Sequence, residues 1–283
     1  MPTPASALGH EPHIRLLIIS WPKRGASTHA ISTAPGLVRV LTCETSDTAL
    51  AGASQESKNF DFERVTGFDS MIKFLIEAKR DAKANLIKTV VVDPLNFFAD
   101  ALMEECFSNT KTKEGSEDGR KAHPEFTRRI THVINLLFTI PAHVVVVNHF
   151  MLEGGGEAND KPKTGENIVP LMPNLKSRSM VASKFHDIAW FDEAKPGEEH
   201  YNNRVFVVSG TGRGVLGPGL RSIQGKHVIP AHIGQFLKAI EAARKAGGSK
   251  GGSNGGGSNG GAPKPMVAVA KVQPKPQIAP PRR

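Results

Sequence analysis

The sequence has few of the residues that mark secreted, membrane-spanning or zinc-binding proteins. It contains only two cysteines, Cys43 and Cys106, which are far apart and have no paired spacing. This argues against a disulfide framework and against a cysteine zinc site. No segment approaches the ~18 apolar residues of a membrane span, and residues 1–13 lack the apolar core of a signal peptide. We therefore expect a cytoplasmic protein with no membrane partner.

Two catalytic patterns are also missing, and one region lacks acidic residues. The histidines form no HxxxH or HExxH pair, and no GxSxG elbow occurs within residues 14–246, which disfavours a helical zinc site and a serine hydrolase. Residues 247–283 hold six lysines and arginines and no acid, so nine minus six leaves a net charge of about +3 for the body. A basic tail favours a polyanionic partner, although a purely solvated tail is the alternative.

The order of apolar segments predicts an α/β domain with a mainly parallel sheet. Strands are predicted at residues 14–19, 37–44, 86–95, 143–149, 188–191 and 205–209. Helices are predicted at 28–33, 68–83, 96–107, 125–139 and 233–245, and loops at 51–63, 108–123 and 153–170. The predicted domains are a flexible N-terminus (1–13), the α/β domain (14–246), a Gly/Ser linker (247–261) and a basic proline-rich tail (262–283).

The segment at residues 16–30, LLIISWPKRGASTHA, has the layout of a phosphate-binding loop. An apolar strand leads into a turn with Gly25, and Ser27 then opens a helix whose free N–H groups attract anions. In the register of G-x-x-x-x-G-K-[ST], the second glycine and the hydroxyl are present, but Ser20 replaces the first glycine and Ala26 the lysine. An ordinary strand-to-helix turn is the competing interpretation.

Polar side chains follow four of the predicted strands, at Ser20, Glu44, Asp93 and the pair Asn148-His149. The carboxyl ends of parallel strands meet at one edge, where open α/β sheets bind ligands. Asp93 follows the run VVV, the position of the aspartate that holds Mg²⁺ opposite the loop hydroxyl in P-loop proteins. A helix cap is the alternative role for such an aspartate.

Over about residues 14–245 the chain resembles the RecA-like P-loop ATPases, and most of all small phage-encoded nucleotide-binding proteins, some of which act in single-strand annealing. The segments that carry this resemblance are SWPKRGASTHAISTAPG, VRVLTCE, VVVDPLNFFADAL, HVVVVNHF, VPLMPNLKSRSMVASKFHDIAWF and SGTGRGVLGPGL with IPAHIGQFLKAI. It implies a RecA-like core with ATP and Mg²⁺ as cofactors. Glu44 would polarise the attacking water, His149 would sense the γ-phosphate, and Ser27 and Asp93 would hold the metal.

The resemblance also implies a nucleotide-binding set and DNA contacts. The nucleotide-binding residues would be Pro22, Lys23, Arg24, Gly25, Ala26, Ser27, Thr28 and Asp93. Loops at 108–123 and 152–170 would contact single-stranded DNA, with Lys161 and Lys163 as phosphate contacts, and Arg213 is a candidate phosphate contact. Expected partners are single-stranded DNA, a replication or single-strand-binding protein, and further copies in a ring or filament, in the host cytoplasm if the chain is phage-encoded.

Ala26 leaves the function of the loop open, because it cannot neutralise phosphate charge as a lysine does. Lys23 or Arg24 could supply the cation, the protein could bind nucleotide without turnover, or the lysine could have been replaced by design. The first hypothesis is an ATPase acting on single-stranded DNA, and the second is a non-catalytic nucleotide- or DNA-binding scaffold. A small-molecule kinase is a weaker third, because residues 108–123 contain only Arg120 where an arginine-rich lid would be needed.

Overall fold

The computed structural model describes residues 13–44, 46–112, 115–153, 167–185, 187–194, 203–207 and 228–248. The strands are β1 (Arg15–Ser20), β2 (Val38–Thr42), β3 (Phe60–Arg64), β4 (Thr89–Asp93), β5 (His143–Glu153), β6 (Asn167–Pro170), β7 (Asp187–Glu193), β8 (Arg204–Val207) and β9 (Val228–Pro230). The helices are α1 (Ala26–Ser32), α2 (Thr48–Glu56), α3 (Phe68–Lys83), α4 (Leu95–Asn109), α5 (Gly119–Phe138), α6 (Leu175–Lys184) and α7 (Ile233–Gly248).

The described strands form one sheet in the order β3-β2-β4-β5-β1-β7-β8-β9, with β6 paired to β5. The strands from β3 to β7 are parallel, whereas β8 runs antiparallel to β7 and β9 antiparallel to β8. Strand β6 pairs antiparallel with the last residues of β5. The predicted fold class, an α/β core with a mainly parallel sheet between helices, is confirmed.

Helices cover both faces of the sheet, so the central strands are buried on both sides. In β1, Leu17 and Ile19 belong to the core shared with α3, α4, α5 and α6, whereas Leu16 and Ile18 belong to the core shared with α1, α2 and α7. All four side chains are at most 1% exposed. This two-sided burial explains why the sequence of the strand is a continuous apolar run. It also fixes the point at which the loop between β1 and α1 leaves the sheet.

A buried arginine joins β1 to the end of α5. Arg15, which is 4% exposed, donates from Nη1 to the carbonyl of Ala142 at 2.6 Å and from Nη2 to the carbonyls of Phe138 and Ile140 at 3.0 Å. These carbonyls lie at and beyond the C-terminus of α5, where helical N–H partners run out and the helix dipole is negative. The guanidinium group therefore satisfies the end of the helix and holds it against the strand.

The prediction of a loop at residues 51–63 is wrong, because this range contains the second half of α2 and most of β3. The buried residues of α2 are Leu50 and Ala53, and β3 is an edge strand with Phe62 54% exposed. Neither element buries enough apolar surface to produce a strong periodic pattern.

Two other expected loops are shorter than predicted. Helix α5 begins at Gly119, within the 108–123 segment, and the 153–170 segment ends in strand β6. Helix α6 and strand β9 were not predicted from the sequence. Among the described helices, none combines the length and the apolar composition that a bilayer crossing requires.

Candidate nucleotide-binding site

The loop between β1 and α1 has the backbone shape of an anion-binding turn. Lys23 and Gly25 both have positive φ, 62° and 87°, and left-handed residues in such a turn direct successive N–H groups into a concavity that accepts anions. Helix α1 begins at Ala26 with no side chain capping its first N–H groups and no acid in its first turn. The residues from Pro22 to Gly25 are exposed. Ser20 in place of the first glycine therefore does not prevent this loop shape.

Ser27 and Asp93, predicted as a pair, lie in contact. The Ser27 hydroxyl donates to Asp93 Oδ1 at 2.6 Å, and Asp93 is 2% exposed at the end of β4. Burial raises the pKa of Asp93 from 3.8 to about 7; the Ser27 hydrogen bond opposes this rise, and the charge of Glu44 adds to it. A carboxylate at this position is thus costly without a cation, and it would be stabilised by one.

The oxygen ligands of this pair fit Mg²⁺. Magnesium takes hard oxygen ligands from one or two side chains and completes its octahedron with water and substrate phosphates. Within the described ranges, no group of three or more His, Cys, Asp or Glu residues could hold a metal ion. One hydroxyl and one carboxylate supply only part of an octahedral coordination shell. They therefore fit a metal ion whose remaining ligands come from water and a bound nucleotide.

Glu44 lies beside Asp93 because their strands are neighbours. Thr42 pairs with Asp93 across β2 and β4, and the Glu44 N–H donates to Thr42 Oγ1 at 3.3 Å. Burial raises the pKa of Glu44, which makes the carboxylate a stronger base. Burial and the neighbouring carboxylates raise the pKa of the intervening Cys43 thiol to about 12, so that thiol stays protonated.

His149 lies on β5 at the same edge of the sheet as Ser20, Glu44 and Asp93. Asn96, which was not predicted as a site residue, holds it there. His149 pairs with Ser20 across β5 and β1, so it lies next to the first residue of the loop. Its backbone N–H donates to Asn96 Oδ1 at 3.1 Å, and the Asn96 amide nitrogen lies 3.4 Å from His149 Nδ1. Asn96 is completely buried. A polar residue between Leu95 and Phe97 in an apolar first turn was the signal in the sequence.

The position of the missing lysine is inside the core. Ala26 is 4% exposed and packs in the apolar cluster beneath α1. Of the two loop cations, Arg24 lies 3.7 Å from the Glu193 carboxylate, whereas Lys23 has no carboxylate partner among the described residues. Thr28 lies beside Ala49, whose carbonyl is 3.5 Å from its hydroxyl. Lys23 is therefore the better candidate for a compensating charge.

An aromatic cluster anchors the other end of the loop. The rings of Trp21 and Phe150 meet edge to face with centroids 4.2 Å apart, and Phe150 packs in the same way on Trp190 at 5.0 Å. Such pairs stabilise beyond the area they bury. They join the loop to β5 directly after His149 and to β7. The sequence reasoning did not predict this contact.

Several predicted contacts lie outside the described residues. These are Lys161 and Lys163 between β5 and β6, Arg213, and the tail from 249 onward. The roles assigned to them remain predictions from the sequence. The four strand-end positions Ser20, Glu44, Asp93 and His149, in contrast, lie along one edge of the sheet as expected.

Comparisons with known proteins identify a family for this chain and include a partial likeness to a solved structure. A family model described as an AAA domain matches residues 13–186. The KaiC-like protein of the hyperthermophilic archaeon Pyrococcus horikoshii is 11% identical, with a TM-score of 0.39 over 69% of this chain and 77% of that one. No curated protein matches. Because the family match spans more than half of the chain, this protein belongs to the AAA domain family of P-loop NTPases.

Proposed function

We propose that this protein binds ATP and Mg²⁺ at the loop of residues 20–28 and acts on single-stranded DNA as a phage-type RecA-like protein in recombination, replication or repair. The observation that carries the nucleotide part is the 2.6 Å contact between the Ser27 hydroxyl and the buried Asp93 carboxylate. Members of the P-loop class use this pair for Mg²⁺ beside a phosphate-binding turn, and both parts are present in this chain.

Each residue of the site has a role that follows from its position. The backbone N–H groups between Pro22 and Ser27 bind phosphate oxygens, and Lys23 adds the positive charge that Ala26 lacks. Bound Mg²⁺ would neutralise phosphate charge between Ser27 and Asp93. Glu44, with its raised pKa, accepts a proton from a water molecule at the same edge of the sheet.

The DNA part of the proposal is supported by charge and by chain order. Six lysines and arginines without any acid occupy residues 247–283, and such cations bind nucleic-acid phosphates without sequence preference. Lys161 and Lys163 lie between β5 and β6, which pair directly after His149. A DNA contact by these lysines would therefore lie on the segment that follows His149 in the chain, and His149 is part of the proposed nucleotide site. We include as partners a replication or single-strand-binding protein and other copies of this chain in a ring or filament.

A second candidate function, a non-catalytic nucleotide- or DNA-binding scaffold, is favoured by Ala26. Removing the loop cation takes away several kcal/mol of transition-state stabilisation, while the backbone N–H groups and Ser27 can still bind phosphate and metal. The Ala26→Lys variant separates the two candidates. Turnover that rises about tenfold or more supports an ATPase with competent Glu44 and Asp93, whereas unchanged turnover with intact binding supports the scaffold.

The experiment that tests nucleotide binding compares two serines of the same short helix. Ser27 contacts Asp93, whereas the exposed Ser32 hydroxyl donates to Glu56 at 2.6 Å. We expect Ser27→Ala to abolish the gain in ATP affinity that Mg²⁺ provides, and Ser32→Ala to leave it unchanged, as measured by titration with a fluorescent ATP analogue. Equal affinities for all three proteins would contradict the proposed site. Binding to fluorescent single-stranded oligonucleotides, measured separately, tests the DNA part.

A further inference from the structure

The hydrogen bonds of Asn96 define which way its amide group faces. A backbone N–H can only donate, so the Asn96 atom 3.1 Å from the His149 nitrogen is the carbonyl oxygen. The NH₂ group then occupies the other end of the amide, where it lies 3.4 Å from His149 Nδ1. Because an amide NH₂ has no lone pair to offer, His149 Nδ1 must accept this hydrogen bond.

This contact determines the tautomer of His149. An imidazole that accepts at Nδ1 carries its single proton at Nε2 when it is neutral. A doubly protonated ring would direct an Nδ1–H at the Asn96 NH₂, two donors facing each other. Burial also lowers the pKa of His149, so the neutral form is favoured on both counts. No group among the described residues hydrogen-bonds to Nε2, so its N–H is available to a ligand.

The surroundings of both residues keep this arrangement rigid. Asn96 is completely buried, in the first turn of α4 and three residues after Asp93. The His149 carbonyl accepts from the Leu171 N–H at 2.8 Å and from the Asn148 side chain at 2.6 Å. The ring of Phe97 packs edge to face on the imidazole, with centroids 5.6 Å apart. The backbone and the ring plane of His149 are thus both held by neighbours.

We propose that Asn96 is a positioning residue that holds His149 as the neutral Nε2–H tautomer, so that His149 presents an uncharged hydrogen-bond donor to the terminal phosphate of a bound nucleoside triphosphate. The phosphate part rests on the proposed function, whereas the tautomer part does not. One short segment, residues 93–96, then carries both the metal-site carboxylate and the group that orients the phosphate donor. Loss of the donor should reduce the preference for a triphosphate over a diphosphate more than it reduces binding in general.

The tautomer can be tested without any nucleotide. In protein labelled with ¹⁵N-histidine, long-range ¹H–¹⁵N correlation spectra show which ring nitrogen carries the proton, and the His149→Gln variant identifies the His149 signals. The proposal expects an unprotonated Nδ1 and a protonated Nε2 at pH 7.5. A proton on Nδ1 would overturn it, whether or not the protein binds ATP. In Asn96→Asp, whose carboxylate can only accept, the proton should move to Nδ1 or the ring should become doubly protonated.

The functional part is tested by the ratio of ADP to ATP dissociation constants in the presence of Mg²⁺. We expect Asn96→Asp to lower this ratio about tenfold to a hundredfold, as for the loss of one hydrogen bond to a charged group. The exposed Asn135→Asp should leave the ratio unchanged. A glutamine side chain at position 149 can donate a hydrogen bond and has no alternative ring tautomer for Asn96 to select. Asn96→Asp should therefore have no further effect on the ratio in a His149→Gln background.

The outcomes separate the inference from the proposed function. An unchanged ratio in Asn96→Asp, with normal ATP binding, would overturn the role of Asn96 and leave the nucleotide site standing. Absence of ATP binding to the unaltered chain would remove the proposed function and the phosphate part together, while the spectra still decide the tautomer. If Asn96→Asp does not fold, two other measurements test the proposal: the spectrum of the unaltered protein, and the ratio in His149→Gln compared with His149→Asn. The ratio should be lower in His149→Asn, because asparagine is too short to place a donor where Nε2 lies.

Discussion

Replacing Asp93 with asparagine should make the nucleotide-free protein more stable at alkaline pH. The folded protein holds Asp93 with a pKa of about 7, against 3.8 as its ordinary value. Between these values the folded state keeps a proton that the unfolded state has released, so the free energy of unfolding falls as the pH rises from about 4 to about 7. The stabilising contribution of the protonated form is complete below the lower value and is lost above the higher one.

The magnitude follows from the difference between the two pKa values. Each unit is worth about 1.4 kcal/mol, so the three-unit difference corresponds to at most about 4 kcal/mol at pH 8. Asparagine has the same shape, carries no charge and can still accept from Ser27, so Asp93→Asn should gain up to about this amount at pH 8 and almost nothing at pH 4.

Urea unfolding at pH 4 to 8 measures this effect, with the exposed Asp69→Asn as the control for a lost carboxylate. MgATP should make the unaltered protein the more stable of the two, because ligand binding stabilises only the protein that keeps the Asp93 carboxylate for the metal. Parallel pH profiles of stability for the unaltered protein and Asp93→Asn would contradict this prediction, because it requires the buried Asp93 carboxylate to be costly when no cation is bound.

Three further predictions follow from other parts of the structure. Arg15→Met should lower the free energy of unfolding by about 2–4 kcal/mol, measured by urea denaturation, because buried carbonyls at the end of α5 lose their donors; a change under 0.5 kcal/mol would contradict that role. Lys23→Ala should weaken ATP binding about tenfold and Arg24→Ala much less, since Glu193 engages Arg24; the reverse order in a titration would make Arg24 the compensating cation. A chain ending at Gly248 should bind single-stranded DNA more weakly, with a salt dependence reduced by up to about six phosphate contacts, and an unchanged slope would remove the tail from the DNA site.

Much of the sheet could be predicted because its central strands are buried on both faces. The apolar runs that end at Ser20, Asp93 and His149 follow directly from that burial, and the helical spacing of α3 predicts its bounds, Phe68–Lys83. Helix α2 and strand β3 could not be predicted in the same way. Strand β3 lies at the edge of the sheet, and α2 buries only Leu50 and Ala53 among its residues, so neither leaves a strong periodic pattern.

Part of the candidate site could likewise be predicted from the sequence, and part of it depends on tertiary structure. The contact between Ser27 and Asp93 follows from the rule that parallel strand ends share one edge, because Asp93 ends β4 and Ser27 follows the loop after β1. The Asn96–His149 contact joins residues 53 positions apart. The local pattern marks Asn96 as a polar residue in an apolar turn, but it does not show which residue Asn96 contacts. The packing of Trp21 on Phe150 depends in the same way on tertiary structure.

The most direct measurement of the central claim is amide hydrogen exchange at short labelling times, with and without MgATP. We expect the peptide covering residues 20–31 to exchange more slowly when ATP and Mg²⁺ are both present, because N–H groups of the loop then bind phosphate. A peptide from α5 (125–137) should not change. The slowing should be lost in Ser27→Ala and kept in Ser32→Ala. Exchange in residues 20–31 that ignores saturating MgATP, or protection confined to another part of the chain, would contradict the claim that this loop is the nucleotide site.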